Sequence, residues 1–215
     1  MYQPIILIDN GHGRNTPGKC SPAASKGLTD SPYYFREYAW ARQCARGIVS
    51  ELRKLGLSAS LLVSEEDDII LRERAARVNA YCRTNGKENV LLVSIHVNAA
   101  GRDGKWMTAR GWSAFTTKGI TEADRLAACL IDAAENTFRA PLRVRKYSMA
   151  DRYSRDFEEN FYILKNTSCP AVLTENFFQD NREDVLYLKS TEGLNSCIRC
   201  HVDGITRYIN AKNNR

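Results

Sequence analysis

A chain of 215 residues with 43% hydrophobic and 26% charged side chains has the composition of an ordinary globular protein, which excludes disordered and fibrous classes. At about 150 residues per domain the length favours one domain, spanning 1–215, and it suffices to bury a core without disulfides or a structural metal. Lys and Arg exceed Asp and Glu by 31 − 25 = 6, a scattered basic excess that suits an anionic partner, such as a bacterial wall or a nucleic acid, without choosing between them.

Residues 5–9 form a short apolar run halted by Asn10-Gly11-His12-Gly13, the pattern of a strand entering a tight glycine turn. Residues 14–32, rich in Gly, Pro, Ser, Thr and Lys, read as one long loop, and loops of that length inside a domain are usually functional. Over 34–55 the apolar positions Tyr38, Ala41, Cys44, Ala45, Ile48, Leu52 and Leu55 recur every three or four residues, which predicts a helix stopped by Gly56. A strand over 57–63 comes next, then an amphipathic helix over 71–83 with Leu71, Ala75, Val78 and Cys82 turned inward. Residues 90–95 are apolar almost throughout, as in a strand buried on both faces. A further strand is expected over 112–116, helices over 123–138 and 193–209, and a strand over 171–174 ending at Glu175. Residues 140–160 are polar, carry Arg143, Arg145, Lys146, Arg152 and Arg155, and read as a second long loop. No internal repeat or linker divides the chain. The alternation predicts a single α/β domain, with a mixed, mainly parallel sheet covered by helices on both faces and a site at the carboxyl ends of the strands.

Three polar groups fall where apolar strands stop: His12 after 5–9, His96 after 90–95 and Glu175 after 171–174. A lone histidine at such a place usually ends a strand or caps a turn. Here two of the chain's three histidines share the position with a carboxylate, and neutral imidazole is the commonest metal ligand. The combination points to a metal site. Glu37 lies near the start of a helix, where the helix dipole alone would favour a carboxylate.

The same residues carry a family resemblance. Ile8-Asp9-Asn10-Gly11-His12-Gly13 resembles the Asp-Pro-Gly-His-Gly opening of zinc-dependent N-acetylmuramoyl-L-alanine amidases of the Amidase_3 type. Residues 93–99, Val-Ser-Ile-His-Val-Asn-Ala, are similar to that family's Ser-Ile-His-Ala-Asn-Ala segment. Leu71-Arg72-Glu73-Arg74 with Val78-Asn79 resembles its L-x-x-R-x-x-x-A-N helix, and residues 174–181 resemble its E-x-G-F-x-S-N segment. The motifs occur in the family's order over about residues 5–209. The resemblance implies zinc held by His12, Glu37 and His96, with Glu175 as catalytic base. The donor set agrees with general chemistry, since His₂Glu plus an open position is a known catalytic zinc arrangement. The implied reaction is hydrolysis of the amide between the lactyl group of N-acetylmuramic acid and L-alanine of the stem peptide. Asn98, beside His96, is a candidate for bonding substrate amides, or else a turn residue. Arg143, Arg145, Arg152 and Arg155 are candidates for stem-peptide or wall anions, or else a solvated basic loop. Phe177 stands where the family usually has glycine and is expected to add an aromatic wall to the cleft. Asn10 replaces the usual proline, and the loop between His12 and Glu37 is longer than usual.

Other signals compete less well. Cys197-Ile198-Arg199-Cys200-His201 matches a haem-attachment string, yet Leu194, Cys197, Ile198, His201, Ile205 and Tyr208 fall on one helical face, which predicts a core helix. Seven scattered cysteines read as reduced thiols, and Cys20 lies in a loop. No export signal precedes residue 5 and no apolar run nears the ~20 residues of a membrane span. The expectation is therefore synthesis in the cytoplasm and action at the bacterial wall, as an endolysin or autolysin, without membrane insertion or a protein partner. Peptidoglycan is the expected partner. Nucleic acid is not, for want of a helix-turn-helix, zinc finger or aromatic-basic platform. Two other functions fit the residues: a non-enzymatic wall-binding module with its site blocked by Phe177, and a zinc peptidase for a different amide.

Overall fold

The computed structural model describes residues 1–102, 104–148 and 151–214. In chain order the strand β1 (Ile5–Asn10) is followed by a single turn of helix, α1 (Pro22–Ser25), and by α2 (Glu37–Lys54). Then come β2 (Ala59–Leu61), α3 (Leu71–Asn85), β3 (Val90–Asn98), β4 (Ser113–Thr116) and α4 (Glu122–Thr137). The chain closes with β5 (Phe157–Glu158), α5 (Tyr162–Lys165), β6 (Ala171–Phe178), α6 (Arg182–Lys189) and α7 (Thr191–Asn213). The strands make one sheet in the order β2-β1-β3-β6-β4-β5. β2, β1, β3 and β6 are mutually parallel, and β4 joins β6 antiparallel. The sheet is mixed and mainly parallel, as expected.

Period-two alternation divides the strand side chains between two cores. Ile6, Ile8, Leu91, Val93, Ile95 and Val172 face α2, α4, α6 and α7. Leu7, Val90, Leu92, Ala171 and Leu173 face α3 and α5. Helices thus cover both faces, which is why 90–95 carries so little polarity. The chain leaves β1 toward β2 on one side and returns to β3 on the other. That reversal opens a crevice between the carboxyl ends of β1 and β3, where open α/β sheets place their sites.

The elements missing from the sequence reading are short ones, α1, α5, β5 and α6, too brief to display a period. The two long loops hold two of them, α1 and β5. Residues 149 and 150 of the second loop lie outside the described residues. β6 also runs on through Glu175 to Phe178, so Glu175 sits inside a strand and not after it. Leu71, expected inside, is 49% exposed, while Arg74 on the same helix is 1% exposed. The buried face of α3 is shifted by a fraction of a turn, onto Arg74, Ala75, Val78 and Cys82.

Cys197, Cys200 and His201 are fully buried on the inner face of α7. The His201 ring Nδ1 donates to the Cys197 carbonyl (2.7 Å) and its Nε2 accepts from the Thr174 hydroxyl (2.9 Å), a neutral imidazole with both nitrogens satisfied. Burial holds its pKa down at about 4. An unfolded chain takes that proton near 6.5 while the folded one refuses it until about 4, so stability present above pH 6.5 is lost as the pH falls to 4. The difference amounts to about 3 kcal/mol. Denaturant titrations should show the native chain losing about that much more than His201→Gln between pH 7 and pH 4. Equal losses would contradict the assignment of a neutral buried imidazole.

Candidate metal centre and active site

The site begins with the turn after β1. His12 has φ +62°, the left-handed region that costs a side-chain-bearing residue roughly 1–3 kcal/mol. Two guanidinium groups hold the turn by its carbonyl: Arg42 Nη1 donates to the His12 oxygen at 3.1 Å and Arg74 Nη2 at 3.0 Å. Gly11, just before, has no substitute, since a Cβ there would come within 2.3 Å of the His96 ring. Close approach of the backbone to an imidazole is what this glycine provides.

β3 brings His96 up beside that turn. The two imidazoles stand edge to face, with ring centroids 4.9 Å apart. Glu37, the first residue of α2, is 1% exposed and inserts its carboxylate between them. Its Oε1 lies 3.4 Å from His12 Nε2 and 3.1 Å from His96 Nδ1, and it also accepts from the Val97 backbone N–H at 3.0 Å. Burial alone pushes the Glu37 carboxyl up, but hydrogen bonds and charge from His12 and His96 outweigh it and hold the group well below the usual carboxylate range. Burial pulls His96 down, yet contact with Glu37 more than offsets it and the net shift is upward. One ligand atom from each of His12, Glu37 and His96 lies within 4.8 Å of the other two.

Glu175 pairs in register with His96 on the neighbouring strand. Its Oε2 is buried without a hydrogen-bond partner. Burial pushes its pKa up to about 8, with His96 and Lys19 opposing and Glu37 reinforcing the shift. The side-chain oxygen and nitrogen of Asn10 and the Gln179 Oε1 are likewise buried and unpartnered. A bare protein would leave this much polarity unsatisfied at a cost of about 1–3 kcal/mol per group. Two imidazole nitrogens, one carboxylate oxygen and one unpartnered carboxylate alongside suit a divalent cation of borderline softness such as zinc.

The remaining candidates separate in the structure. Asn98 accepts from the Ala99 N–H through its own Oδ1 (2.8 Å), a turn-forming contact. Arg145 lies over the rings of Phe178 (5.2 Å) and Phe157 (5.6 Å). The Arg143 carbonyl accepts from the Trp112 N–H at 3.0 Å, and the Arg145 N–H donates to the Trp112 carbonyl at 2.7 Å. Arg152 and Arg155 bind the α4 carboxylates Asp132 and Glu135, so they brace a helix and are not free for wall anions. Phe177 is not a cleft wall. It is fully buried and packs edge-on against Phe138 (5.0 Å) and Tyr187 (5.2 Å). Its φ of +65° shows why glycine suits this position: the backbone is left-handed there, and the strain is offset by burying an aromatic ring.

Sequence reasoning missed the polar frame under the site. Arg74 Nη1 meets Asp9 Oδ1 at 2.6 Å and the Asn10 carbonyl at 2.7 Å, while Nη2 meets Asp68 at 2.9 Å. Ser94 donates to the other Asp9 oxygen at 2.6 Å. Asn176 Nδ2 donates to the His96 carbonyl (3.0 Å) and its Oδ1 accepts from Trp112 Nε1 (3.0 Å). The signal for Arg74 lay in its motif, without a role attached.

The α/β sheet thus carries at its switch point a His-Glu-His cluster that could hold a metal ion, with the Glu175 carboxyl alongside. The chain matches the Amidase_3 family, N-acetylmuramoyl-L-alanine amidase, over residues 6–207, and it belongs to that family. It is 28% identical over 213 residues to the endolysin of Bacillus phage SPP1, covering 97% of this chain and 67% of that one. It is also 28% identical to the N-acetylmuramoyl-L-alanine amidase CwlM of Bacillus licheniformis, over 97% of this chain and 70% of the relative. The fold superposes on the crystal structure of N-acetylmuramoyl-L-alanine amidase from Clostridium difficile 630 with a TM-score of 0.73, at 24% identity, covering 99% of this chain and all of the other.

Two substitutions test the frame. Arg74→Leu strands the buried Asp9 carboxylate and should cost about 3–5 kcal/mol, lowering Tm by about 10 °C or more. An unchanged Tm would mean the guanidinium is dispensable. Phe177→Gly relieves the left-handed strain but empties the aromatic cluster, so a net loss of about 2 kcal/mol is expected in denaturant titration. A gain in stability would show that strain outweighs packing there.

Proposed function

We propose that this chain hydrolyses the amide between the lactyl group of N-acetylmuramic acid and L-alanine in peptidoglycan, using zinc held by His12, Glu37 and His96. The observation that carries the proposal is the convergence of those three donors within 4.8 Å beside the unpartnered Glu175 carboxyl. Zinc bound there supplies Lewis acidity to the scissile carbonyl and to water. Glu175 takes the proton of the attacking water on Oε2 and returns it to the departing L-alanine amine. Burial by itself favours its neutral form; a nearby dication would favour the ionised form, the one a base requires. The His12 turn and the Asn176 bond to the His96 carbonyl keep the two imidazoles in place. The reading makes the chain a wall-lytic enzyme of the endolysin or autolysin kind, acting at the bacterial cell wall. With Phe177 in the core, the feature that suggested a blocked, non-enzymatic site is gone.

The test measures zinc content and muropeptide release on the same preparations. His12→Ala and His96→Ala should lose zinc and activity together. Glu175→Gln should keep zinc and lose turnover by about a hundredfold or more. Glu37→Gln should weaken zinc binding, since an amide oxygen is the poorer ligand. Chelation should abolish activity and added zinc restore it, with released peptides carrying a free L-alanine amine. A fully active Glu175→Gln would overturn the mechanism. If Glu175→Gln lost zinc while Glu37→Gln kept both zinc and activity, the two carboxylates would have to exchange roles.

A further inference from the structure

The end of the sheet opposite the metal centre carries a second feature. β3 starts at Val90 and β6 at Ala171, and beside those strand starts lies a cavity of about 560 Å³. Four segments distant in sequence each bring a lysine to its wall: Lys87 before β3, Lys118 between β4 and α4, Lys165 ending α5 and Lys212 near the end of α7. An adjoining cavity of about 410 Å³ shares Lys87 and Ser168 with the first and adds Arg83. The two form one groove along the foot of the sheet.

Its charge is positive on balance among the described residues, with Glu88 the one lining carboxylate that no cation holds. Lys212 is engaged, with Nζ 3.7 Å from Glu122 and 4.4 Å from the centre of the Tyr2 ring. Arg83, Lys87, Lys118 and Lys165 have no ion-pair partner among the described residues. Elsewhere the basic side chains of Arg74, Arg77, Arg110, Arg152 and Arg155 are matched to carboxylates. Glu88 and Glu122 also line the groove, but Glu122 is occupied by Lys212 and the Tyr208 hydroxyl. Four unpaired cations held near one another repel, and an anion lowers that energy. Lysine binds phosphate as a point charge, and Ser168 and Thr117 add hydroxyl donors.

We propose that this groove binds a phosphodiester polymer of the polyol-phosphate type, such as the bacterial wall carries. The cations come from separate segments of chain around two adjoining cavities that share Lys87 and Ser168, an extended arrangement that suits successive phosphates on a chain. Among the described residues no aromatic side chain lines either cavity, so they offer no stacking surface of the kind single-stranded nucleic acid uses. The demand for a phosphodiester comes from the groove itself; its assignment to the wall rests on the peptidoglycan reading above. From Val90 to His96 is about 20 Å along the strand, so a polymer held at the foot of the sheet leaves the opposite, catalytic end free.

The probe is fluorescently labelled poly(glycerol phosphate), with binding followed by anisotropy against salt. Lys118→Glu with Lys165→Glu reverses two exposed groove charges. Lys26→Glu with Arg72→Glu makes the same change of net charge at exposed positions outside it. The groove variant should lose affinity by about tenfold or more and the control by less than about threefold, because charge close to the ligand dominates within a Debye length. The native chain should show a slope of about −2 in log affinity against log salt, as for roughly three phosphates of a flexible single strand, and the groove variant a shallower one. Hydrolysis of a soluble muropeptide should be unchanged in both variants. Equal losses in the two variants, no binding by the native chain, or tighter binding of a single-stranded DNA of equal charge would each overturn the proposal. Failure of the amidase reading would silence the muropeptide arm alone and leave the binding arm readable.

Discussion

One buried guanidinium ties the architecture to the chemistry. Arg74 lies beneath the carboxyl end of β1 at 1% exposure and meets Asp9, Asp68 and three backbone carbonyls, of Asn10, His12 and Ile69. A desolvated charge is tolerated only when its donors are satisfied, and here the bonds divide between the end of β1 with its turn (Asp9, Asn10, His12) and Asp68 and Ile69 just before α3. The contact joins α3 to β1 across one face of the sheet, while Ser94 joins β3 to the same Asp9. The left-handed conformation of His12 persists because these bonds and Arg42 over-determine it. Without that clamp the first imidazole would have no fixed place opposite the second.

The parallel sheet supplies the other half of the arrangement. Adjacent strands β1, β3 and β6 run the same way, so the turn bearing His12, the strand position of His96 and that of Glu175 come to the same end of the sheet. α2 then begins above that end, and its first residue drops a carboxylate between the imidazoles. The cluster is therefore built from rigid elements, and Gly11 permits the closeness. The two imidazoles and Glu37 satisfy one another in part, whereas Glu175 Oε2 is left with nothing. That asymmetry between a paired and an unpaired buried carboxyl is what the proposed division into ligand and proton carrier rests on.

Charge is distributed unevenly between the two ends of the sheet. At the catalytic end cations are consumed by structure: Arg42 and Arg74 bind carbonyls and carboxylates, and their charge is spent on holding turns. At the opposite end Lys87, Lys118 and Lys165 line a groove and have no ion-pair partner among the described residues. The modest net excess of +6 thus conceals a local concentration. A scattered charge along the chain says little about the field that folding assembles.

The sequence by itself determined the local grammar. Continuous apolar runs announced the strands buried on both faces, three-four periodicity announced α2 and α7, and glycines beside His12 announced the turn. Those features depend on near neighbours and on a period, so they survive without a third dimension. The candidate cluster was legible because His12, His96 and Glu175 each sit at or near the end of such a run, with the family motifs supplying Glu37. Only the tertiary structure decided the rest. Whether Leu71 or Arg74 faces inward depends on what β1 presents to α3, and the stranded Asp9 and turn carbonyls drew in the charge. Phe177 became a core residue because Phe138 and Tyr187, distant in sequence, form its socket. Arg152 and Arg155 turned from loop charges into braces because α4 offered carboxylates beside them. The basic groove draws its walls from five separate segments of chain. In each case the deciding partner is far away along the chain, and pairing over such distances is set by packing, which no local pattern encodes.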